Sequence, residues 1–250
     1  MTGFLAIEDL KKEFGGVEVL TGLDLALAAG ELLCVIGPNG CGKTTLFNLL
    51  TGQLRPTAGR LAFEGRDLSR LKPYEISRLG VGRKFQVPSV FSTLSVADNL
   101  LVARSAAAGR AGLRGLAGPT PATYRADIDE TLDLVGLTDK SAQPAGALAH
   151  GAMQWLEIGM VLIGRPRLML LDEPTAGMTR AETEATAALI RRIHGQTGVA
   201  VILIEHDMRF VEMLETTVAV MMHGTIAVRG RYDEVRSDAA VREGYLGRHA

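Results

Sequence analysis

The chain is 250 residues long, 47% hydrophobic and 22% charged, with a formal net charge of -1 at pH 7. Such a chain buries enough apolar surface for one domain with an attached lobe, which excludes intrinsic disorder and a highly charged binding tail. The near-zero charge gives no general attraction to nucleic acid or to an anionic membrane surface, so an anionic ligand has to be held by a local arrangement of donors. Cys34 and Cys41, the two cysteines, form neither a disulfide framework nor a zinc pattern, and reduced cytosol is the expected compartment. Met1 to Leu10 shows no secretory pattern, and no apolar run approaches the roughly 18 residues of a membrane span, so any membrane role is expected to be peripheral.

From the beginning of the chain, Phe4 to Leu27 and Leu61 to Phe63 read as short antiparallel strands with turns at Gly15-Gly16 and Glu64-Gly65. Apolar strand-like runs follow at Glu31 to Ile36, Leu168 to Leu171 and Ala200 to Ile204, each ending in polar or Gly-rich sequence and each separated from the next by helical patterns. Buried strands alternating with helices predict a parallel sheet covered on both faces. Ser95 with Asp98, and Thr179 with Glu182, stand at the spacing of helix-starting capping pairs. Between them, Val87 to about Leu156 reads as a mostly helical insert. Within it an amphipathic run puts Ile128, Leu132 and Val135 on one face, and the Ala-, Gly- and Pro-rich stretch Ser105 to Thr123 reads as either a surface insertion or a mobile loop.

Gly37-Pro38-Asn39-Gly40-Cys41-Gly42-Lys43-Thr44 fits the G-x-x-x-x-G-K-[ST] pattern, between the apolar strand Leu32 to Ile36 and the helical run Thr45 to Leu50. The glycines let backbone N–H groups turn inward around phosphate oxygens, and the helix N-terminus adds its positive end. Lys43 supplies a point charge for the β- and γ-phosphates, and Thr44 a hydroxyl for Mg²⁺. Asp172 and Glu173 stand at the carboxyl end of a buried strand, where ligands bind in open α/β sheets. Phosphoryl transfer to water needs one acid at the metal and one at the attacking water, and we assign these to Asp172 and Glu173 respectively. Glu205-His206-Asp207 ends another apolar strand, from which His206 is a candidate hydrogen-bonding group toward a γ-phosphate.

With these motifs in this order, the chain resembles the ATP-binding cassette (ABC) ATPases along nearly its whole length. The resemblance implies an α/β fold: a P-loop NTPase (RecA-like) core with a mixed, mainly parallel sheet, an N-terminal antiparallel β-subdomain and an inserted helical subdomain. Residues 1–86 and 157–250 would then form the nucleotide-binding core and 87–156 the helical subdomain, within a single ABC ATPase domain. It implies ATP and Mg²⁺ as ligands, with Gly37 to Thr45 holding nucleotide and Thr44, Asp172 and Gln86 serving the metal. Glu173 and His206 would be catalytic. Phe14 looks like the aromatic that stacks on adenine, and Gln86 like the glutamine that links Mg²⁺ to the transporter contact; outside that context they read as an edge-strand phenylalanine and an exposed glutamine.

The family's Leu-Ser-Gly-Gly-Gln signature, which closes over a partner's nucleotide, falls here on Leu148-Ala149-His150-Gly151-Ala152, and only the leucine and the second glycine match. The dimer-interface loop, usually Ser-Ala-Leu-Asp, is Ala176-Gly177-Met178-Thr179. Gly82 to Gln86, Gln154 to Met160, Glu182-Thr183-Glu184 and Tyr245-Leu246-Gly247 look like the branched-chain amino acid and urea uptake ATPases, and most like the urea-type subunit. That class implies a second ABC ATPase as homo- or heterodimer partner, two transmembrane permeases and an extracytoplasmic substrate-binding protein. It implies no nucleic acid, and a peripheral position at the cytoplasmic face of the inner membrane. The rival readings are a soluble cassette acting in translation or DNA repair, and a regulatory nucleotide-binding subunit with weak hydrolysis.

Overall fold

Strands made wholly of apolar residues have no solvent face and must be covered on both sides. In the computed structural model, which describes residues 3–84, 90–108 and 122–244, β3 (Leu32–Ile36) and β8 (Ala200–Ile204) are such strands, and every residue in them is buried. The chain divides into two compact units, one of Met1–Leu79 with Ala200–Ala250, the other of Gly80–Val199.

The first unit carries two sheets. One is antiparallel: β1 (Leu5–Phe14) pairs with β2 (Val17–Leu27) and with β4 (Ala58–Phe63), and β4 with the short β5 (Arg66–Asp67). The turns between β1 and β2 and between β4 and β5 use left-handed backbone at Gly15, Gly16, Glu64 and Gly65, as expected from those residues. The other sheet is mixed. β3 pairs in parallel with β8 on one side and with β9 (Thr217–Met222) on the other, and β9 pairs antiparallel with β10 (Thr225–Arg231). The β9–β10 hairpin had no counterpart among the expected strands, because Thr217–Met222 follows a helix with no Gly or Pro punctuation before it. The helices of this unit are α1 (Lys43–Leu50), α2 (Pro73–Arg78), α7 (Met208–Met213), α8 (Tyr232–Ser237) and α9 (Ala239–Gly244).

In the second unit β6 (Val81–Lys84) pairs in parallel with the buried β7 (Leu168–Asp172). Its helices are α3 (Val96–Ala107), α4 (Ala122–Val135), α5 (His150–Leu162) and α6 (Arg180–Thr197). The apolar face expected on α4 is the buried one, with Ile128, Leu132 and Val135 in the core. The Ser95 hydroxyl caps α3 by accepting from the Asp98 N–H at 3.0 Å, and α6 starts with a reciprocal Thr179–Glu182 capping box. Most of the Ala- and Gly-rich stretch lies outside the described residues.

Asp127 on α4 ties three elements of this unit together. Its carboxylate accepts from Arg104 Nε of α3 at 2.6 Å and from Arg165 Nη2, beyond α5, at 2.7 Å. The Arg104 guanidinium lies 4.5 Å above the Tyr124 ring. The Arg104 hydrogen bond is the main reason the Asp127 carboxyl sits below the usual carboxylate range. A carboxylate with a lowered folded value contributes stability above its ordinary range and loses it as pH falls through the folded value. Asp127→Asn should therefore lower the thermal midpoint near pH 7 by roughly 2–4 °C, about 1 kcal/mol. The gap to wild type should narrow as pH falls below the ordinary carboxylate range and close once it has passed through the lowered folded value, where both carry a neutral side chain.

Candidate functional site

β3 ends at Gly37, and from there the backbone has little choice. Gly37 has φ 150°, and a Cβ on it would lie 2.1 Å from the Met221 carbonyl oxygen of β9. Gly42, at φ 106°, would put a Cβ 2.8 Å from Leu20 Cδ2. Gly40 adopts φ 80° with open space around it, so there glycine is needed for conformation alone. Gly42 is also the N-cap of α1 and makes no side-chain cap, which leaves the amides of the first helical turn to the loop and to an anion. Lys43 is buried, and its Nζ reaches across the loop to donate to Gly37 O at 2.7 Å and Pro38 O at 3.0 Å. Thr44 is exposed at the start of the helix. Crowding at Gly37 and Gly42 and the Lys43 bridge fix the conformation of the loop.

Cys41 sits inside this loop. Helix-end amides and Lys43 pull its thiol down, but burial outweighs them and pushes it up from the ordinary value. Cys41 is a buried packing residue of the loop.

Two further candidates belong to the first unit. Phe14, at the end of β1, is 44% exposed with Lys12 Nζ 4.8 Å from its ring centroid, so it presents a ring face at the surface rather than filling the core. His206 follows β8 with its side chain 61% exposed, 3.9 Å from the buried carboxylate of Glu205, which also accepts from the His206 N–H at 3.1 Å. Asp207 caps α7 through the amides of Arg209 and Phe210. The polar cluster thus divides into an anchor, an exposed imidazole and a helix cap.

In the second unit, β7 ends in Asp172, which is 1% exposed in its side chain and accepts from Arg83 Nη2 of β6 at 2.8 Å through Oδ2. Oδ1 is buried with no hydrogen-bond partner among the described residues. An unsatisfied carboxylate oxygen at the end of a buried strand fits a magnesium-bound water, and magnesium sites use one or two carboxylates together with substrate phosphates. Among the described residues no three His, Cys, Asp or Glu side chains cluster for a metal. Glu173 is half-buried with φ 46°, a left-handed conformation uncommon for a non-glycine residue. Gln86 lies outside the described residues.

The signature segment opens α5. Its N-cap, Ala149, makes no side-chain cap, and the Gly151 N–H instead donates to Glu182 Oε1 at 3.3 Å. A Cβ on Gly151 would stand 2.8 Å from that oxygen, which accounts for this glycine in an otherwise altered signature. His150 Nε2 hydrogen-bonds Ala176 O at 2.9 Å, so the loop Ala176-Gly177-Met178 is fastened to the start of α5. Leu148 is buried, and Ala149 and His150 are exposed. Two residues of this site escaped the sequence reading. Arg83 stands in a run taken only as a likeness to relatives, and Glu182 was read as a cap of its own helix and as part of another such run.

Residues 20–176 match the family model described as ABC transporter. The chain belongs to the ABC transporter family. It is an ATP-binding cassette ATPase. It is 36% identical over 249 residues, 97% of both chains, to the high-affinity branched-chain amino acid transport ATP-binding protein BraF of Pseudomonas aeruginosa. To the protein of the same description, LivG, of Escherichia coli K12 it is 34% identical over the same shares. Among solved structures it resembles a nucleotide-free ATP-binding cassette from an ABC transporter, with a TM-score of 0.83 and 29% identity over 97% of this chain and 98% of that one. It also resembles the ADP conformation of an ABC transporter's cassette, with a TM-score of 0.82 and 29% identity over 99% and 100%. The cassette has the fold expected from its sequence, including the antiparallel β-subdomain.

The loop geometry separates two glycine substitutions. Gly37→Ala should abolish binding of a fluorescent ATP analogue, because the new methyl meets a backbone carbonyl that cannot step aside. Gly40→Ala meets only the strain of left-handed backbone, about 1–2 kcal/mol, and should weaken binding without abolishing it. Fluorescence titration of both variants, with thermal melts alongside, checks the contrast.

Proposed function

We propose that this chain is the ATP-hydrolysing subunit of an importer, energising uptake of a small polar solute through partner permeases. The observation that carries the reading is the phosphate loop, in which Gly37 and Gly42 have no room for a side chain and Lys43 bridges the loop's own carbonyls. In this reading the loop amides and Lys43 bind the triphosphate, and the Phe14 ring stacks on adenine. Thr44 and Asp172, with Gln86, hold Mg²⁺, which when bound neutralises phosphate charge. Glu173 accepts a proton from the attacking water or orients it, and His206 donates a hydrogen bond to the γ-phosphate. ATP-driven closure of two cassettes, then hydrolysis and reopening, would drive the permeases, provided the closed state binds ATP better than ADP.

The importer assignment is supported by relatives named for branched-chain amino acid transport and by one, from Rhodospirillum rubrum, named for methionine import, 35% identical over 227 residues. The urea reading rests on the sequence runs Gly82 to Gln86, Gln154 to Met160 and Tyr245 to Gly247. The partners in this reading are a second ATPase chain, two permeases and an external binding protein. Its place is peripheral, on the inner face of the membrane; among the described residues no helix is long and apolar enough to cross one.

The altered signature weakens the half-site that this chain completes for its partner. Ala149 offers no hydroxyl to a γ-phosphate, and Glu182 already occupies an amide at the α5 N-terminus. A homodimer would carry this defect in both composite sites and a heterodimer in one.

Three measurements test the reading. Glu173→Gln should cut steady-state ATP turnover by about 100-fold or more while leaving nucleotide binding intact. Ala149→Ser with Ala152→Gln should raise turnover by roughly ten-fold, the worth of one regained charge-assisted hydrogen bond. Cells lacking this chain should lose uptake of either labelled urea or labelled leucine; loss of urea uptake alone selects the urea class, loss of leucine uptake alone the branched-chain class, and loss of neither refutes both.

A further inference from the structure

Two consecutive cations of β6 are buried on opposite faces of the strand. Arg83, 5% exposed in its side chain, donates to Asp172 Oδ2 at 2.8 Å, and Lys84, 2% exposed, lies 3.4 Å from Glu157 Oε2 on α5. The parallel register sets Arg83 opposite Leu170 and Lys84 opposite Leu171, one strand over from the acid at the end of β7. Of these, the Arg83 pair has a chemical consequence. Asp172 is the carboxylate read above as serving Mg²⁺, yet in the structure one of its oxygens is committed to a guanidinium and the other, Oδ1, is buried with no hydrogen-bond partner among the described residues.

We infer that Arg83 is a positioning residue for the metal site: it fixes the Asp172 carboxylate so that Oδ1 alone is presented, and its charge lowers the affinity of that carboxylate for Mg²⁺. The inference rests on the reading of Asp172 as the metal-serving acid. A buried carboxylate needs a partner, and the Arg83 guanidinium supplies it. Its planar fork also fixes the plane of the carboxylate. The cost falls on cation binding, because the guanidinium charge sits within hydrogen-bonding distance of the group that would draw the metal, in surroundings that screen it poorly. Asp172 is thereby kept from holding Mg²⁺ by itself, and the ion stays only when triphosphate oxygens contribute.

The test is the Mg²⁺ concentration giving half-maximal binding of a fluorescent ATP analogue to the purified chain. Arg83→Gln keeps a donor for Oδ2 and removes the charge; its midpoint should fall about ten-fold, equivalent to about 1.4 kcal/mol. Arg83→Lys keeps the charge and should retain the wild-type midpoint. Lys84→Met removes a buried cation of the same strand that faces Glu157 instead, and should not move it. An unchanged midpoint in folded Arg83→Gln overturns the inference, as does an equal shift in Arg83→Lys or Lys84→Met, either of which would place the effect in packing. Asp172→Asn separates this failure from that of the underlying reading: if the asparagine variant keeps the wild-type midpoint, Asp172 does not serve the metal. Should Arg83→Gln fail to melt cooperatively, nitrogen NMR of the wild-type guanidinium, assigned by its loss in Arg83→Lys, gives a second reading. The Arg83 signal should move when Mg²⁺ joins the analogue complex, and a signal that stays put overturns the inference.

Discussion

A strand buried on both faces can carry polar chemistry only at its ends, and this cassette is organised by that constraint. β3, β7 and β8 are five residues long and buried throughout. Each gives way to polar or Gly-rich sequence at its carboxyl end, β3 to the loop Gly37 to Lys43, β7 to Asp172 and Glu173, and β8 to Glu205, His206 and Asp207. The apolar residues supply the stability, by roughly 25 cal/mol for each Å² removed from water, and so hold the strand ends still enough for groups there to act at hydrogen-bond tolerances. Two of those ends have constrained backbone, the left-handed Glu173 and the crowded turn at Gly37.

Each end also has to satisfy the polar groups that it buries, and the solutions differ. Glu205, fully buried, accepts from the backbone of His206. Lys43 uses the carbonyls of its own loop. Asp172 draws a guanidinium from the neighbouring strand. At the start of α5, where the family places a serine, the chain supplies a carboxylate from α6 and a histidine link to the loop at Ala176. The altered signature is therefore a rewired helix start and not merely a degraded one, since its amide and its imidazole both have partners within the same unit.

The legible parts of the sequence were those whose signal is local. Strand positions, the turns at Gly15-Gly16 and Glu64-Gly65 and the caps at Ser95 and Thr179 depend on residues a few positions apart, and they came out as read. β6 and the β9–β10 hairpin were not legible. β6 is four residues long, with two charged side chains whose burial depends on acids 73 and 89 positions away. The Cys41 thiol shows the same limit: the lysine near it is visible in the motif, whereas the burial that outweighs it comes from packing around the loop.

The sequence by itself determined the family and the alternation of strands and helices, because each is written in neighbouring residues whose spacing the backbone geometry dictates. Only the tertiary structure decided which distant groups meet: Arg83 with Asp172, Glu182 with the start of α5, His150 with Ala176, and Asp127 with two arginines. A buried charge must find its complement wherever packing puts one, and the spacing of such partners along the chain follows no period that a reader could recognise.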